Sequence, residues 1–190
     1  MFPKVLAIVD VETTGQSAAY GRIIEIAVLR VEEGRIVKTF QTLVNPERYV
    51  SPMIEGLTGI SNDDVARAPV FAEISRGLMK ILDGAVFVAH NASFDYSFVR
   101  NEFRALGIVF SARCLCTVKL SRKLYPQYRH HDLSSVIQRH AIPVASRHRA
   151  MGDVRAVHEF LSVVARKEDP ARVQAVVNEI LKTNALLADI

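Results

Sequence analysis

Val5-Leu6-Ala7-Ile8-Val9-Asp10-Val11-Glu12-Thr13-Thr14-Gly15 is the stretch on which the reading of this chain turns. Its first five residues form a continuous apolar run rich in β-branched side chains, the pattern of a strand buried on both faces. Two acids follow as the strand gives way to Thr-Thr-Gly. Side chains two apart on a strand share a face, so Asp10 and Glu12 point together. Like charges that close are costly unless something positive sits between them. A hard divalent cation, which prefers carboxylate oxygen, is the simplest resolution. Either acid alone would be at home on a solvated strand end. Thr13, Thr14 and Gly15 add hydroxyls and free backbone beside the pair. An aspartic protease is excluded, because its Asp-Thr-Gly needs Thr directly after Asp, and here Val11 follows Asp10.

Outward from this strand, residues 22–31 form a second strand candidate. Glu33-Gly34 then turns the chain into residues 35–44, where Ile36, Phe40 and Val44 keep a period of two, so the pair reads as a hairpin. Asn45-Pro46 stops it. Residues 52–82 read as helical in pieces, with Gly56, Gly59 and Pro69 as interruptions. Val86-Phe87-Val88-Ala89 is another buried strand. A helix follows from about Ala92, with Asn91 or Ser93 to cap it and Phe94, Phe98, Val99, Phe103 and Leu106 at helical spacing.

Gly107 ends that helix. Residues 108–116 hold a last strand candidate, followed by helices near 117–124 and 132–140. A helix beginning near Arg149 carries Ala156, Val157, Phe160, Leu161 and Val164 on one face. Asp169-Pro170 opens a final amphipathic helix through Val173, Val177, Ile180 and Leu181. This order of elements predicts a mixed α/β sheet of four or five strands. Residues 1–168 are expected to form one domain. Residues 169–190 add a C-terminal helix that docks on the core or leads to a partner.

Composition sets the outer limits. With 49% apolar and 23% charged residues over 190 positions, the chain is neither disordered nor fibrous. No apolar run approaches the roughly 18 residues that cross a membrane. Met1-Phe2-Pro3-Lys4 offers no apolar signal region. Cys114 and Cys116 are too few for a disulfide framework, so a cytoplasmic location is expected. The net charge of +4 is unevenly spread. Residues 1–95 carry 9 Lys/Arg against 12 Asp/Glu, while residues 113–149 hold eight basic residues against the single acid Asp132. An acidic half beside a basic stripe suggests a cation site next to a polyanion track.

Two further acids stand where apolar residues are expected. Asp95, in His90-Asn91-Ala92-Ser93-Phe94-Asp95, falls in the first turn of its helix, where the dipole favours a carboxylate. Phe98 and Val99 lie three and four residues on, so this acid faces inward and needs a partner. Asp153 repeats the pattern with Ala156, Val157 and Phe160. His148, five residues before Asp153, lies in the loop entering that helix, within reach of the same site. His158 falls on the polar side with Arg155 and Glu159 and is expected to be exposed. His130 and His131 stay without a role. Four inward carboxylates balance two divalent cations in formal charge, the clamp used for in-line phosphodiester displacement.

These motifs resemble those of the DEDDh (DnaQ-like) 3′→5′ exonucleases, the family that includes the proofreading subunit of bacterial DNA polymerase III. Asp10-Val-Glu12-Thr-Thr-Gly is similar to its first motif, His90-Asn-Ala-Ser-Phe-Asp95 to the second and His148-Arg-Ala-Met-Gly-Asp153 to the third. The sister subclass has tyrosine four residues before the last aspartate, where this chain has Arg149. The likeness runs from about residue 4 to 165, and Leu57-Thr58-Gly59-Ile60 fits it too.

The resemblance implies a ribonuclease-H-like fold, with three antiparallel strands continued by parallel ones and helices on both faces. It implies two Mg²⁺ or Mn²⁺ ions held by Asp10, Glu12, Asp95 and Asp153. His148 is then the general base that takes the attacking water's proton, and the product is a nucleoside 5′-monophosphate. Thr13, Thr14, Leu57, Ile60 and Asn91 are the positions that cradle the terminal nucleotide. The expected partner is a single-stranded nucleic-acid 3′ end, DNA before RNA, with the basic stripe contacting phosphates. A polymerase or a fused repair module is the expected protein partner, in DNA proofreading or repair. An RNA-trimming exoribonuclease would use the same metals. A binding module without catalysis is disfavoured, because all five catalytic positions are filled.

Overall fold

In a computed structural model, residues 1–144 and 149–185 are described, the last two by their backbone alone. The sheet is built around β1 (Val5–Thr13), which pairs antiparallel with β2 (Ile23–Glu32) and parallel with β4 (Val86–Ala89). β3 (Arg35–Leu43) continues the antiparallel side and β5 (Cys114–Cys116) the parallel side, giving the order β3-β2-β1-β4-β5. The hairpin turn has φ of 49° at Glu33 and 82° at Gly34, the pair of positive values that a tight two-residue turn requires.

The helices divide by face. On one side lie α3 (Phe71–Leu82) and α4 (Ala92–Ala105), whose Leu78, Phe98 and Phe103 pack with Ala7, Val9 and Val11 of β1. On the other lie α5 (Thr117–Leu124), α6 (Leu133–His140), α7 (Ala150–Lys167) and α8 (Pro170–Ala185), packed on Leu6 and Ile8. The strict alternation of β1 residues between two cores is the period of a strand buried on both faces. α1 (Pro52–Thr58) and α2 (Asn62–Ala66) close a small third core around Ile24, Val50 and Ile60. Ser51 and Ser61 cap these helices through their side chains. No described helix is long and apolar enough to cross a membrane.

Several expectations need correction. β3 is an edge strand and mostly exposed, with Ile36 42% exposed, because the helices cover β2, β1, β4 and β5 instead. Gly56 lies inside α1, and only Gly59, in the left-handed region at φ 68°, ends it. Asn91 precedes α4 but makes no side-chain cap. Leu106 lies past the end of α4 and is exposed. His158 is partly buried rather than exposed, and it lines a cavity between α7 and the first residues of the chain, Met1 to Lys4. A helical pattern read from α7 alone does not register those residues. The apolar stripe of α8 is buried throughout: Val173, Val177, Ile180 and Leu181 join the core of α5 and α7.

Candidate active site

Asp10 and Glu12 fall on the face of β1 that α7 covers, by the same alternation that puts Leu6 and Ile8 there. As expected for acids that share a strand face, both lie within β1, which stays paired with β2 as far as Thr13. Its pairing with β4 ends sooner, at Ile8↔Val88. The amide of Val11 lies beyond that point, and it donates to Asp95 Oδ1 at 3.1 Å. Asp95 thus reaches the strand from α4, across the end of the sheet. Asp153, buried in the first turn of α7, descends from the other side.

A carboxylate oxygen from each of Asp10, Glu12 and Asp153 lies within 4.8 Å of the other two. Burial pushes the Asp95 carboxyl up to about 8, against the bond from Val11, and the charges of Glu12 and Asp153 push the same way. Three converging carboxylates backed by a fourth, buried one are the donor set of a hard divalent cation. A cation there would offset both the burial of the Asp95 charge and the repulsion from Glu12 and Asp153, and so favour the carboxylate.

That balance has a measurable consequence. Without cation the folded state holds the Asp95 proton up to about pH 8, whereas an unfolded Asp gives it up near its ordinary value of about 3.9. The folded state therefore binds more protons across this window, and stability falls as pH rises. For one proton the slope is at most about 1.4 kcal/mol per pH unit. Thermal melts in EDTA between pH 5.5 and 8 should show the wild type losing ground to Asp95→Asn as pH rises. Parallel curves for the two proteins would refute the assignment.

His148, the expected general base, lies outside the described residues. Thr13 is buried, with its hydroxyl donating to Gly15 O at 2.7 Å, and Thr14 Oγ1 accepts the Arg22 amide at 3.0 Å. Both hydroxyls thus shape the turn after β1. Leu57 stands 52% exposed on α1, whereas Ile60 is 2% exposed in the core beneath it. Asn91, at φ 77°, immediately precedes the helix that carries Asp95. It shares a cleft of about 460 Å³ with Ser93, Lys119 and Arg122. The basic stripe is only partly available to a ligand: Lys123 pairs with Glu179, Arg149 with Glu25, and Arg139 stacks on Tyr128 at 3.9 Å.

The partners of four residues, His90, His131, Glu102 and Glu25, were not legible from the motifs. His90 meets the His131 carbonyl through Nε2 at 3.0 Å and Thr117 Oγ1 through Nδ1 at 2.9 Å. A carbonyl only accepts, so Nε2 carries the hydrogen. His131 repeats the pattern with Tyr128 O and Ser121 Oγ. Both rings therefore tie the 128–131 loop to α5, and His90 is joined to each. Glu102, buried on α4, accepts from Arg22 Nε at 2.8 Å and from the Ile23 amide, fixing the return from the Thr13–Thr14 turn. Glu25 is 1% exposed within Ile23-Ile24-Glu25-Ile26. The rule applied to Asp95, that an acid among buried neighbours needs a partner, reaches both Glu25 and Glu102.

Comparison with known proteins sets this five-stranded sheet among the ribonuclease-H-like exonucleases. The chain belongs to the RNase_T exonuclease family, whose model matches residues 7–161. It is 34% identical over 174 residues to the PolC-type DNA polymerase III of Caldanaerobacter subterraneus subsp. tengcongensis, covering 90% of this chain and 12% of that protein. It is 32% identical over 162 residues to the 3′-5′ exonuclease DinG of Staphylococcus saprophyticus, covering 85% and 18%. Among solved structures, exonuclease X in complex with 5′ overhanging duplex DNA matches with a TM-score of 0.68 and 26% identity, over 90% of this chain and 99% of that one. The chain spans less than a fifth of the length of the two curated relatives.

Proposed function

We propose that the chain shortens single-stranded DNA from the 3′ end, releasing nucleoside 5′-monophosphates, with two Mg²⁺ or Mn²⁺ ions held by Asp10, Glu12, Asp95 and Asp153. The convergence of Asp10, Glu12 and Asp153 carries this reading. Bound there, the ions would supply Lewis acidity at the scissile phosphate and at the leaving 3′-oxygen. Residues of the chain do the rest. Asp95, anchored to the Val11 amide, fixes one side of the cage relative to β1. Exposed Leu57 meets the terminal base, with Ile60 supporting its turn from below. Thr13 and Thr14 hold the turn against which the terminal sugar rests, and Asn91 faces the strand from the opposite side.

The cleft beside Asn91, with Lys119 and Arg122, receives upstream phosphates, contacts that position a strand without reading its sequence. His148, at the entrance to α7, takes the proton of the attacking water. Residues 1–168 are the catalytic unit in this reading, and residues 169–190 an accessory helix. The DNA polymerase III relative favours DNA over RNA and a polymerase as partner; the proposal extends to proofreading or repair, a fused repair module as the other partner and a cytoplasmic setting.

Digestion of one oligonucleotide labelled at either end, with Mg²⁺ or with EDTA, tests polarity and metal need together. A 5′ label should give a descending ladder and a 3′ label should appear at once as mononucleotide, both only with Mg²⁺. Cleavage persisting in EDTA, or internal cuts, would overturn the reading. An RNA oligonucleotide of the same sequence should be cut more slowly, and the reverse preference would favour the exoribonuclease alternative.

A further inference from the structure

Glu25 belongs to none of the three acid motifs, yet it is bound to two of them. On β2 it is the cross-strand partner of Glu12. Such pairs share a face with their Cβ atoms about 4.5–5.5 Å apart. Its buried carboxylate accepts four hydrogen bonds. Two come from Arg149, Nε at 3.1 Å and Nη2 at 3.0 Å, one from the Ala150 amide at 3.0 Å and one from Gln41 Nε2 at 2.8 Å. Ala150 is the first residue of α7, three before Asp153, and its amide is among the donors a helix start leaves unpaired.

Burial would raise the Glu25 carboxyl, but the bonds from Arg149, Gln41 and Ala150 hold it below its ordinary value, so it stays charged. A buried ion pair adds little net stability over an apolar pair of the same shape. What this pair adds is a fixed registration between β2 and the first turn of α7. It also keeps the Arg149 guanidinium close enough to Glu12 for their charges to interact.

We propose that Glu25 is a positioning residue: through Arg149 and Ala150 it locks the start of α7 onto β2, so that Asp153 meets Asp10 and Glu12 at cation-binding distance. The assignment rests on the reading of these acids as ligands. Outer partners of metal ligands typically govern affinity or activity by about 10–100-fold, and here the partner acts on the helix that carries the ligand.

The test measures Mn²⁺ binding directly, by the resonance of the free ion, alongside digestion of a labelled DNA oligonucleotide. Glu25→Ala should weaken Mn²⁺ binding about 10–100-fold and lower kcat, with KM for the oligonucleotide changed less than roughly 3-fold. Glu25→Gln, whose amide oxygen still accepts from Ala150 but lacks the charge that holds Arg149, should fall between Glu25→Ala and wild type. The double variant Glu25→Ala/Arg149→Ala should be no worse than the poorer single one, since the two act as a unit.

A folded Glu25→Ala that binds Mn²⁺ like wild type overturns the role of Glu25 alone. If Glu25→Ala fails to fold, Glu25→Gln and Arg149→Ala decide, and wild-type affinity in both overturns it. A wild type that neither binds Mn²⁺ nor digests DNA removes the ligand reading of the acids, and the role of Glu25 with it.

Discussion

Alanine in place of Asp10 or Asp153 is expected to cut 3′-end digestion by at least about 10³-fold, close to 4 kcal/mol of transition-state stabilisation, while the protein stays folded. The two acids reach the site from opposite elements, β1 and α7, and with Glu12 they close to within 4.8 Å. Removing either takes one of the four carboxylates and breaks the cluster that brings β1 and α7 together, leaving too little negative charge and the wrong geometry for a two-cation clamp. The fold should survive, because the cluster is a site of like-charge repulsion when no cation is bound. Melting in EDTA should therefore show each variant at or above the wild-type midpoint, as expected where function and stability oppose each other. Digestion above a few per cent of wild type in either variant counts against the assignment.

His148→Ala carries the second large effect. A general base contributes typically 10²–10⁴-fold, and turnover should fall by that order with Mn²⁺ affinity unchanged. This pairing of readouts separates a base from a ligand. A collapse of Mn²⁺ binding would make His148 a member of the cage instead. Unchanged turnover would leave the proton to another group and break the analogy with the histidine subclass.

Much of the architecture is written in short-range patterns. β1 and β4 announce themselves as unbroken apolar runs, and the acids Asp95 and Asp153 betray their inward aim by standing on the apolar stripes of α4 and α7. What escaped the sequence lies in contacts between distant segments. Glu25 meets Arg149 across 124 positions, and neither residue carries a local sign of the other. His158 shares a cavity with the first residues of the chain, which no helical period can reveal. β3 alternates as though one face were buried, but burial depends on what packs over a strand, and the helices lie elsewhere. Nor does the basic stripe reveal which of its charges already have partners: Lys123 pairs with Glu179 and Arg149 with Glu25.

The last helix has a practical bearing on how the molecule can be divided. β5 is only three residues long and closes one side of the sheet, and α8 lies against it with four large aliphatic side chains turned inward. Trimming the protein back to its chemistry would strip that shutter away and lay a greasy flank and an unpaired ribbon open to neighbouring molecules. A piece ending before Pro170 should therefore associate with its neighbours more readily than residues 1–190.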